Sequence, residues 1–296
     1  MVDERYLPVD GAELYVRQIG AGYPVVVLHG GPDFDHSYLV PELDEVAQAY
    51  RLIYYDQRGR GRSAGGVRPE DVTIESEVDD LDQVRRRLEL RRIAVLGHSW
   101  GGLLAMEYAT RHPERVSHLV LMNTAPASGR DADRFRARLR ASRPPGDVER
   151  MQTIAGTASY MSGDLKADAD YYRIHFRSCF RQSAQLEELL RRLRANFTPE
   201  TMRLARAIED RMYEQTWSSD GYDLIPKLRA LDAPTLVMHG GRDFVPLYFP
   251  VHIAQAIPRS RLVVLAGCGH FSYAERPDLV RQHIAALVGG AAVREQ

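Results

Sequence analysis

A serine between glycines is the first feature of this sequence that points to chemistry. Residues 97–101 read Gly-His-Ser-Trp-Gly, which matches the pattern G-x-S-x-G around Ser99. The apolar run before this segment predicts a buried strand, and the apolar run after it predicts a helix. A sharp strand–turn–helix element exposes a serine hydroxyl beside a helix N-terminus, whose partial positive charge stabilises a nearby oxyanion. Ser99 is therefore a candidate nucleophile for acyl transfer.

Two residues further along the chain could activate Ser99. A serine hydroxyl needs a general base, and the base needs an acid to orient it. Asp243 follows the apolar run PTLVMHG and His270 follows RLVVLAG, in the chain order serine, acid, histidine. Because both follow predicted parallel strands, we expect them at the edge where such sheets bind ligands. His270 is preferred over the other histidines, and Asp243 over Asp232 and Asp278, which lie at a strand start and a helix start.

Backbone N–H groups near Ser99 are expected to bind the oxyanion of a tetrahedral intermediate. One is the amide of Trp100, the residue after the nucleophile. The other is expected in the loop His29-Gly30-Gly31-Pro32, where Gly31 is the best-placed donor. The glycines of this loop, Gly30 included, allow the backbone to come close to a substrate.

Alternating strands and helices must position these residues. Short apolar runs of strand length end in glycine or a polar residue at 24–30, 51–56, 92–99, 117–123, 234–240 and 261–267. Helical periodicity lies between them, at 74–88, from Ser99 to about His112, and at 277–288. This alternation predicts an α/β fold with a mostly parallel sheet. The start of the chain alternates around Asp10-Gly11 and predicts an antiparallel hairpin.

The alternation stops between about residues 127 and 226. Strand-like runs are replaced there by segments rich in arginine, glutamate, leucine and alanine. We therefore expect a helical cap at 127–226, inserted into a core domain made of residues 1–126 and 227–296.

Composition excludes several functional classes. The chain has 296 residues, of which 27% are charged, and a net charge of −1, which argues against a nucleic-acid partner. Two cysteines do not indicate a disulfide framework. A charged N-terminal segment and the lack of an apolar run of about 18 residues predict a cytoplasmic protein without a membrane span. No cluster of metal ligands stands out, so we expect neither a metal nor a cofactor.

Five motifs together resemble those of the α/β-hydrolase superfamily and, more narrowly, its proline iminopeptidase branch. In chain order they are HGGP (29–32), YYDQRGRGRS (54–63), GHSWGG (97–102), GGRD (240–243) and GCGH (267–270). The resemblance covers nearly the whole chain outside the insertion. It implies the α/β-hydrolase fold, with a mostly parallel central sheet flanked by helices and a helical cap over the serine. Asp33 departs from the family's loop, which often has a glycine at that position.

The resemblance also suggests how a substrate is held. Acidic cap residues of iminopeptidases bind the substrate's free amino terminus, and the segment ARAIEDRMYEQ (205–215) looks similar to one that does so. This makes Glu209 a candidate for amine binding, with an exposed helix residue as the alternative. Glu187 and Glu188 are the candidates for a second acidic partner.

The sequence thus predicts a serine hydrolase acting through an acyl-enzyme on a small molecule or short peptide. The leading hypothesis is an aminopeptidase of the proline-releasing kind. An esterase, amidase or lactonase for a small apolar substrate is the enzymatic alternative, and a ligand-binding receptor on the same fold is the non-enzymatic one. Five cap aromatics are candidates for the pocket wall in either enzyme: Tyr160, Tyr171, Tyr172, Phe176 and Phe180.

Overall fold

Eight strands form one sheet at the centre of the computed structural model, which describes residues 2–180 and 183–289. The strands are β1 (Val2–Val9), β2 (Ala12–Ile19), β3 (Tyr23–Leu28), β4 (Tyr50–Tyr55), β5 (Ile93–His98), β6 (Val116–Met122), β7 (Thr235–Gly240) and β8 (Ser260–Leu265). Their order across the sheet is β1-β2-β4-β3-β5-β6-β7-β8. The hairpin β1–β2 is antiparallel and joins β4 antiparallel, and all other pairs are parallel. The mostly parallel sheet predicted from the sequence is confirmed.

The central strands are apolar along their whole length because both of their faces are covered. Every residue of β5, β6 and β7 is buried. The pairing register sets Val27 opposite Leu96 and Leu96 opposite Val120, so the carboxyl ends of β3, β5 and β6 lie together. Continuous apolar runs of this kind are typical of parallel sheets between two layers of helices.

Helices cover both faces of the sheet and enclose a separate apolar cluster on each face. Those that flank the sheet are α1 (Ile74–Arg87), α2 (Trp100–Arg111), α9 (Ile225–Leu228), α10 (Tyr248–Ala256), α11 (Ser272–Glu275) and α12 (Pro277–Val288). Thr73 starts α1 with a capping box, in which its side chain and that of Ser76 satisfy each other's backbone amides. The predicted helices at 74–88, 99–112 and 277–288 are confirmed to within one residue at each end.

Six helices precede α9 between β6 and β7 in the described part of the chain, where the sequence lost its strand pattern. They are α3 (Gly129–Ser142), α4 (Pro145–Ala155), α5 (Ala158–Met161), α6 (Leu165–Phe176), α7 (Ser183–Leu193) and α8 (Pro199–Gln215). Backbone hydrogen bonds close the base of this segment, from Gly129 N to Tyr222 O (2.9 Å) and from Leu224 N to Ala127 O (2.9 Å). This closure supports our proposal that residues 127–226 are the cap and that the flanking segments are the core domain.

Buried charges tie these helices to the loop after β3. The Arg194 guanidinium contacts the Asp33 carboxylate (2.6 Å) and the Asp168 carboxylate (2.6 Å), and Arg206 contacts the other Asp168 oxygen (2.6 Å). Arg194, Asp33 and Asp168 are almost fully shielded from solvent. Such pairs are strongly interdependent, because removing one partner leaves an uncompensated buried charge.

Within the described residues, no helix is long and apolar enough to cross a lipid bilayer.

Candidate active site

Ser99 sits on a strained turn between β5 and α2. Its backbone has φ 55° and ψ −118°, a combination that residues other than glycine rarely adopt. The glycines around it are required by close packing: a Cβ on Gly97 would lie 2.2 Å from Gly101 O, and one on Gly101 would lie 2.2 Å from Leu28 O. The turn therefore has the geometry of a nucleophile elbow, which presents the serine side chain above the sheet.

Asp243 and His270 are hydrogen-bonded to each other. His270 Nδ1 lies 2.9 Å from Asp243 Oδ1 and 3.0 Å from Oδ2, and both side chains are buried. Burial raises the pKa of Asp243, but the facing His270 ring and other donors outweigh it and hold that pKa below its usual value. An ionised carboxylate at this position orients the imidazole, with Nε2 left as the free ring nitrogen.

Asn123, at the end of β6, holds the acid and was missed by the sequence analysis. Its amide Nδ2 donates to Asp243 Oδ2 (2.7 Å) and to Gly269 O (3.1 Å), while its Oδ1 accepts from Ser272 Oγ (2.6 Å). Its backbone is left-handed, with φ 48°. Asparagine tolerates this conformation better than most residues do. Its place at the carboxyl end of the strand beside β5 was the one signal available in the sequence.

His98, which precedes the serine, connects the loop after β3 to the base. Gly30 N donates to Tyr38 Oη (2.8 Å), Tyr38 Oη lies 2.7 Å from His98 Nδ1, and His98 Nε2 lies 3.0 Å from His270 O. Burial lowers the pKa of His98 to about 3, so its ring is neutral. A carbonyl only accepts, so Nε2 carries the proton and Nδ1 accepts from the tyrosine hydroxyl. Each group therefore donates to the next, from the Gly30 amide through Tyr38 and His98 to the His270 carbonyl.

Of the two expected oxyanion donors, Gly31 lines the cavity that contains Ser99, whereas Trp100 is not among the described residues that line it. Trp100 is the first residue of α2, and the first N–H groups of a helix have no intrahelical acceptor. Gly31 lines the same cavity as Ser99 and has φ 121°, where a Cβ would lie 2.3 Å from Asp33 N. Gly30 does not line that cavity, and its amide is occupied by Tyr38.

One cavity of about 260 Å³ brings together Ser99, His270, Gly31 and Glu209. Aromatic side chains form much of its wall, and Arg136 is the one arginine or lysine among the described residues that line it. The aromatic residues are Phe34, Tyr38, Phe135, Tyr172, Phe176, Tyr213, Trp217, Phe244 and Phe271. Of the five cap aromatics considered from the sequence, Tyr172 and Phe176 contribute to this wall, whereas Tyr160, Tyr171 and Phe180 do not. The Ser99 hydroxyl makes no hydrogen bond to a described residue, so it is free to meet a ligand.

Glu209 is the only acidic residue among the described residues that line this cavity. Its carboxylate accepts a hydrogen bond from Tyr213 Oη (2.7 Å). Burial, followed by the repulsion of the Asp33 carboxylate, raises the pKa of Glu209 to about 8. Glu187 and Glu188, the candidates for a second acidic partner, instead pair with surface arginines outside the cavity.

Metal ligands are not grouped in the described residues: no set of three or more histidine, cysteine, aspartate or glutamate side chains could hold an ion there.

The two arginines of the loop after β4 pair with acids of α1, Arg58 with Asp80 and Arg60 with Glu77. They therefore fix that loop to the core.

Comparison with known proteins gives the same fold. The family model described as alpha/beta hydrolase fold matches residues 23–277. A proline iminopeptidase of Lactobacillus helveticus (strain DPC 4571) is 30% identical over 283 residues, which cover 93% of this chain and 94% of that relative. The crystal structure of proline iminopeptidase from Mycobacterium smegmatis has a TM-score of 0.73 at 24% identity, covering 99% of this chain and 100% of that one.

A thermophilic esterase from Thermogutta terrifontis is similar to the same degree, with a TM-score of 0.71 at 25% identity over 97% of this chain and 98% of that one. The similarity thus includes a protein described as an esterase as well as proline iminopeptidases. The family model spans β3 to β8, with the turn around Ser99 and the helical segment between β6 and β7. The chain is therefore a hydrolase and belongs to the α/β-hydrolase family.

Proposed function

We propose that the protein is a serine aminopeptidase of the proline iminopeptidase type, which releases a small N-terminal residue from a short peptide or amide. Ser99 is the nucleophile, His270 the base and Asp243 the residue that orients the base. The observation that carries this proposal is the Glu209 carboxylate, which shares one aromatic cavity with Ser99 and His270.

The reaction follows from the positions of these groups. Ser99 Oγ attacks the scissile carbonyl and loses its proton to His270 Nε2, while Asp243 stabilises the imidazolium that forms. The amides of Trp100 and Gly31 bind the oxyanion of the tetrahedral intermediate. His270 then returns the proton to the leaving amine, and a water molecule, deprotonated by the same ring, hydrolyses the acyl-enzyme.

The cavity favours a small ring that carries a positive charge. Its aromatic wall suits an apolar ring such as that of proline, and the lone carboxylate of Glu209 suits a protonated amine. A charge-assisted hydrogen bond between the two is shorter and stronger than a neutral one. Binding of the cation also favours ionisation of Glu209, whose pKa is raised in the free protein.

An esterase or lactonase acting on an uncharged molecule is the second candidate. The aromatic residues of the cavity wall favour it, as does the likeness to the esterase described above. A receptor without catalysis is disfavoured, because the serine, histidine and aspartate are all retained, with the elbow geometry around Ser99.

A matched pair of substrates separates these candidates. Proline 2-naphthylamide and cyclopentanecarboxylic acid 2-naphthylamide have the same ring size and leaving group, but only the first carries an amine. We expect Glu209→Gln to lower kcat/KM for the proline compound by roughly 10- to 100-fold, the size of a lost charged hydrogen bond. Cleavage of the uncharged compound should change less than about threefold, since it makes no such bond.

Two controls make the result decisive. Glu214→Gln removes an exposed carboxylate from the same helix and should alter neither rate. Ser99→Ala should abolish both activities and labelling by a fluorophosphonate probe. Equal losses on both substrates in Glu209→Gln would contradict amine recognition, and wild-type preference for the uncharged compound would favour the esterase.

A further inference from the structure

A second pocket, which we call the arginine pocket, adjoins the cavity that contains Ser99. It lies among α3, α4 and α6, has a volume of about 290 Å³, and is lined by three arginines, Arg136, Arg140 and Arg143. Arg136 and Leu139 line both spaces, so the two are neighbours across one helix turn. No acidic side chain is among the described residues that line it, although Arg136 pairs with Asp133 outside it, so Arg140 and Arg143 supply its positive charge.

Arg143 is an unusual cation because its partners are uncharged. Its guanidinium contacts Met151 Sδ (3.2 Å) and His175 Nδ1 (2.8 Å), and it has no carboxylate within 4 Å among the described residues. Burial lowers the pKa of Arg143 and, more strongly, that of His175, so the imidazole is a neutral acceptor. Other buried arginines, such as Arg58 and Arg194, each contact a carboxylate. Arg143 therefore has no carboxylate in direct contact, and the charge of Asp147 acts on it only at longer range.

The arginine pocket lies on the side of the cavity next to the base. The His270 ring is 4.4 Å from that of Phe244, which is 5.4 Å from the ring of His175, and His175 contacts Arg143 directly. All three rings line the cavity that contains Ser99. An extended chain advances about 3.5 Å per residue, so one to three residues beyond the scissile bond span this interval.

Glu209 and Arg143 act on Tyr171 with opposite charges. Burial raises the pKa of Tyr171, the Glu209 carboxylate raises it further, and the Arg143 guanidinium lowers it. Tyr171 lines the arginine pocket, and its ring lies 5.4 Å from that of Tyr172 in the wall of the catalytic cavity. The bound substrate would thus lie between the negative charge of Glu209 and the positive charge of Arg143, an arrangement that suits the oppositely charged termini of a short zwitterionic peptide.

We propose that the arginine pocket binds the C-terminal carboxylate of the leaving peptide, and that the enzyme therefore prefers free peptides of two to four residues. The inference rests on the proposed aminopeptidase function. The carboxylate is held and not transformed: the bond broken is the amide attacked by Ser99, and the proton on the departing amine comes from His270.

The test compares each peptide with its C-terminal amide. For wild-type protein we expect kcat/KM on Pro-Gly and Pro-Gly-Gly to exceed that on the corresponding amides by about 10- to 100-fold for at least one length. Arg143→Gln should bring free peptide and amide to within about threefold, while Arg143→Lys, which keeps the charge, should retain part of the preference. Arg138→Gln is the matched control, because this arginine is on α3 but does not line the arginine pocket.

Esters make failure of the pocket distinguishable from failure of the aminopeptidase proposal. Hydrolysis of 4-acetoxybenzoate and of its methyl ester reports a carboxylate on the leaving group without any substrate amine. If peptides are not cleaved but the charged ester is preferred, and Arg143→Gln removes that preference, the anion site stands and the aminopeptidase proposal fails. Equal rates on free peptides and amides together with equal rates on the two esters would overturn the inference. So would a carboxylate preference that survives both Arg143→Gln and Arg136→Gln.

Discussion

Asn123 offers the sharpest test of how the acid is held. Asn123→Gly keeps the left-handed backbone at this position but removes the amide that contacts Asp243, Gly269 and Ser272. The hydrogen bond to the ionised Asp243 is worth about 1.5–3 kcal/mol, and each of the two neutral ones about 1 kcal/mol. Greater freedom of glycine in the unfolded chain adds about 0.5–1 kcal/mol. We therefore expect a loss of about 4–6 kcal/mol in the free energy of unfolding.

The catalytic effect should appear in kcat alone. Asp243 stabilises the imidazolium in the transition state, and losing the bond that fixes its carboxylate should lower kcat by about 10- to 100-fold. KM should stay unchanged, because Asn123 does not line the cavity. Urea denaturation gives the first quantity, and initial rates on proline 2-naphthylamide give the other two.

Ser272→Ala is the matched control for this prediction. It removes one bond to Asn123 Oδ1 and leaves the contact between Asn123 and Asp243 in place. It should cost stability but change kcat less than about threefold, since the bond to the carboxylate remains. Wild-type kcat in Asn123→Gly, or a loss confined to KM, would refute the role assigned to this residue.

Three further predictions address Glu209, the elbow and the cap. Burial raises the pKa of Glu209 to about 8, and an α-amino group has an ordinary pKa of about 8, so kcat/KM for proline 2-naphthylamide should rise towards pH 8 as Glu209 ionises and fall above it as the substrate amine loses its proton. A pH profile of the cyclopentane analogue, or of Glu209→Gln, should lack this maximum. Gly101→Ala should cost more than about 3 kcal/mol or prevent folding, because its Cβ would lie 2.2 Å from a backbone oxygen. Gly146→Ala, a helix position with no atom within 4 Å, should raise stability by up to about 1 kcal/mol in thermal unfolding. Arg194→Met should destabilise by about 3–5 kcal/mol in urea, since it leaves the buried Asp33 carboxylate without an ion pair and leaves Asp168 with Arg206 alone. Arg191→Met, at an exposed pair, should cost less than about 1 kcal/mol, and similar losses in the two variants would contradict the argument.

The sheet could be read from the sequence because its strands are buried on both faces. Burial on both sides gives uninterrupted apolar runs, as in β5 and β6, and these are visible without any partner strand. Ser99 was equally visible, because the elbow needs glycines at fixed local spacing. Asp243 and His270 could be identified because each follows a predicted strand, and the carboxyl ends of parallel strands lie at the edge of the sheet where ligands bind.

The contacts that orient these residues were not visible, because they join distant parts of the chain. Asn123 reaches Asp243 across 120 positions, and Tyr38 reaches His98 across 60. A polar residue after a strand does not reveal which neighbour it will bond. The environment of Glu209 was hidden for a similar reason: whether this helix position meets solvent or the cavity depends on how α8 is rotated against the core.

The buried pairing of Asp33 with Arg194 constrains how such enzymes can be recombined. The two residues are separated by 161 positions, one in the loop beside the nucleophile and one in the proposed cap, and Arg194 is the one ion-pair partner of Asp33 among the described residues. A transplanted cap without an arginine at position 194 would leave the buried Asp33 carboxylate without its ion pair. Chimeras that exchange the cap alone should therefore be less stable than chimeras that exchange the loop and the cap together.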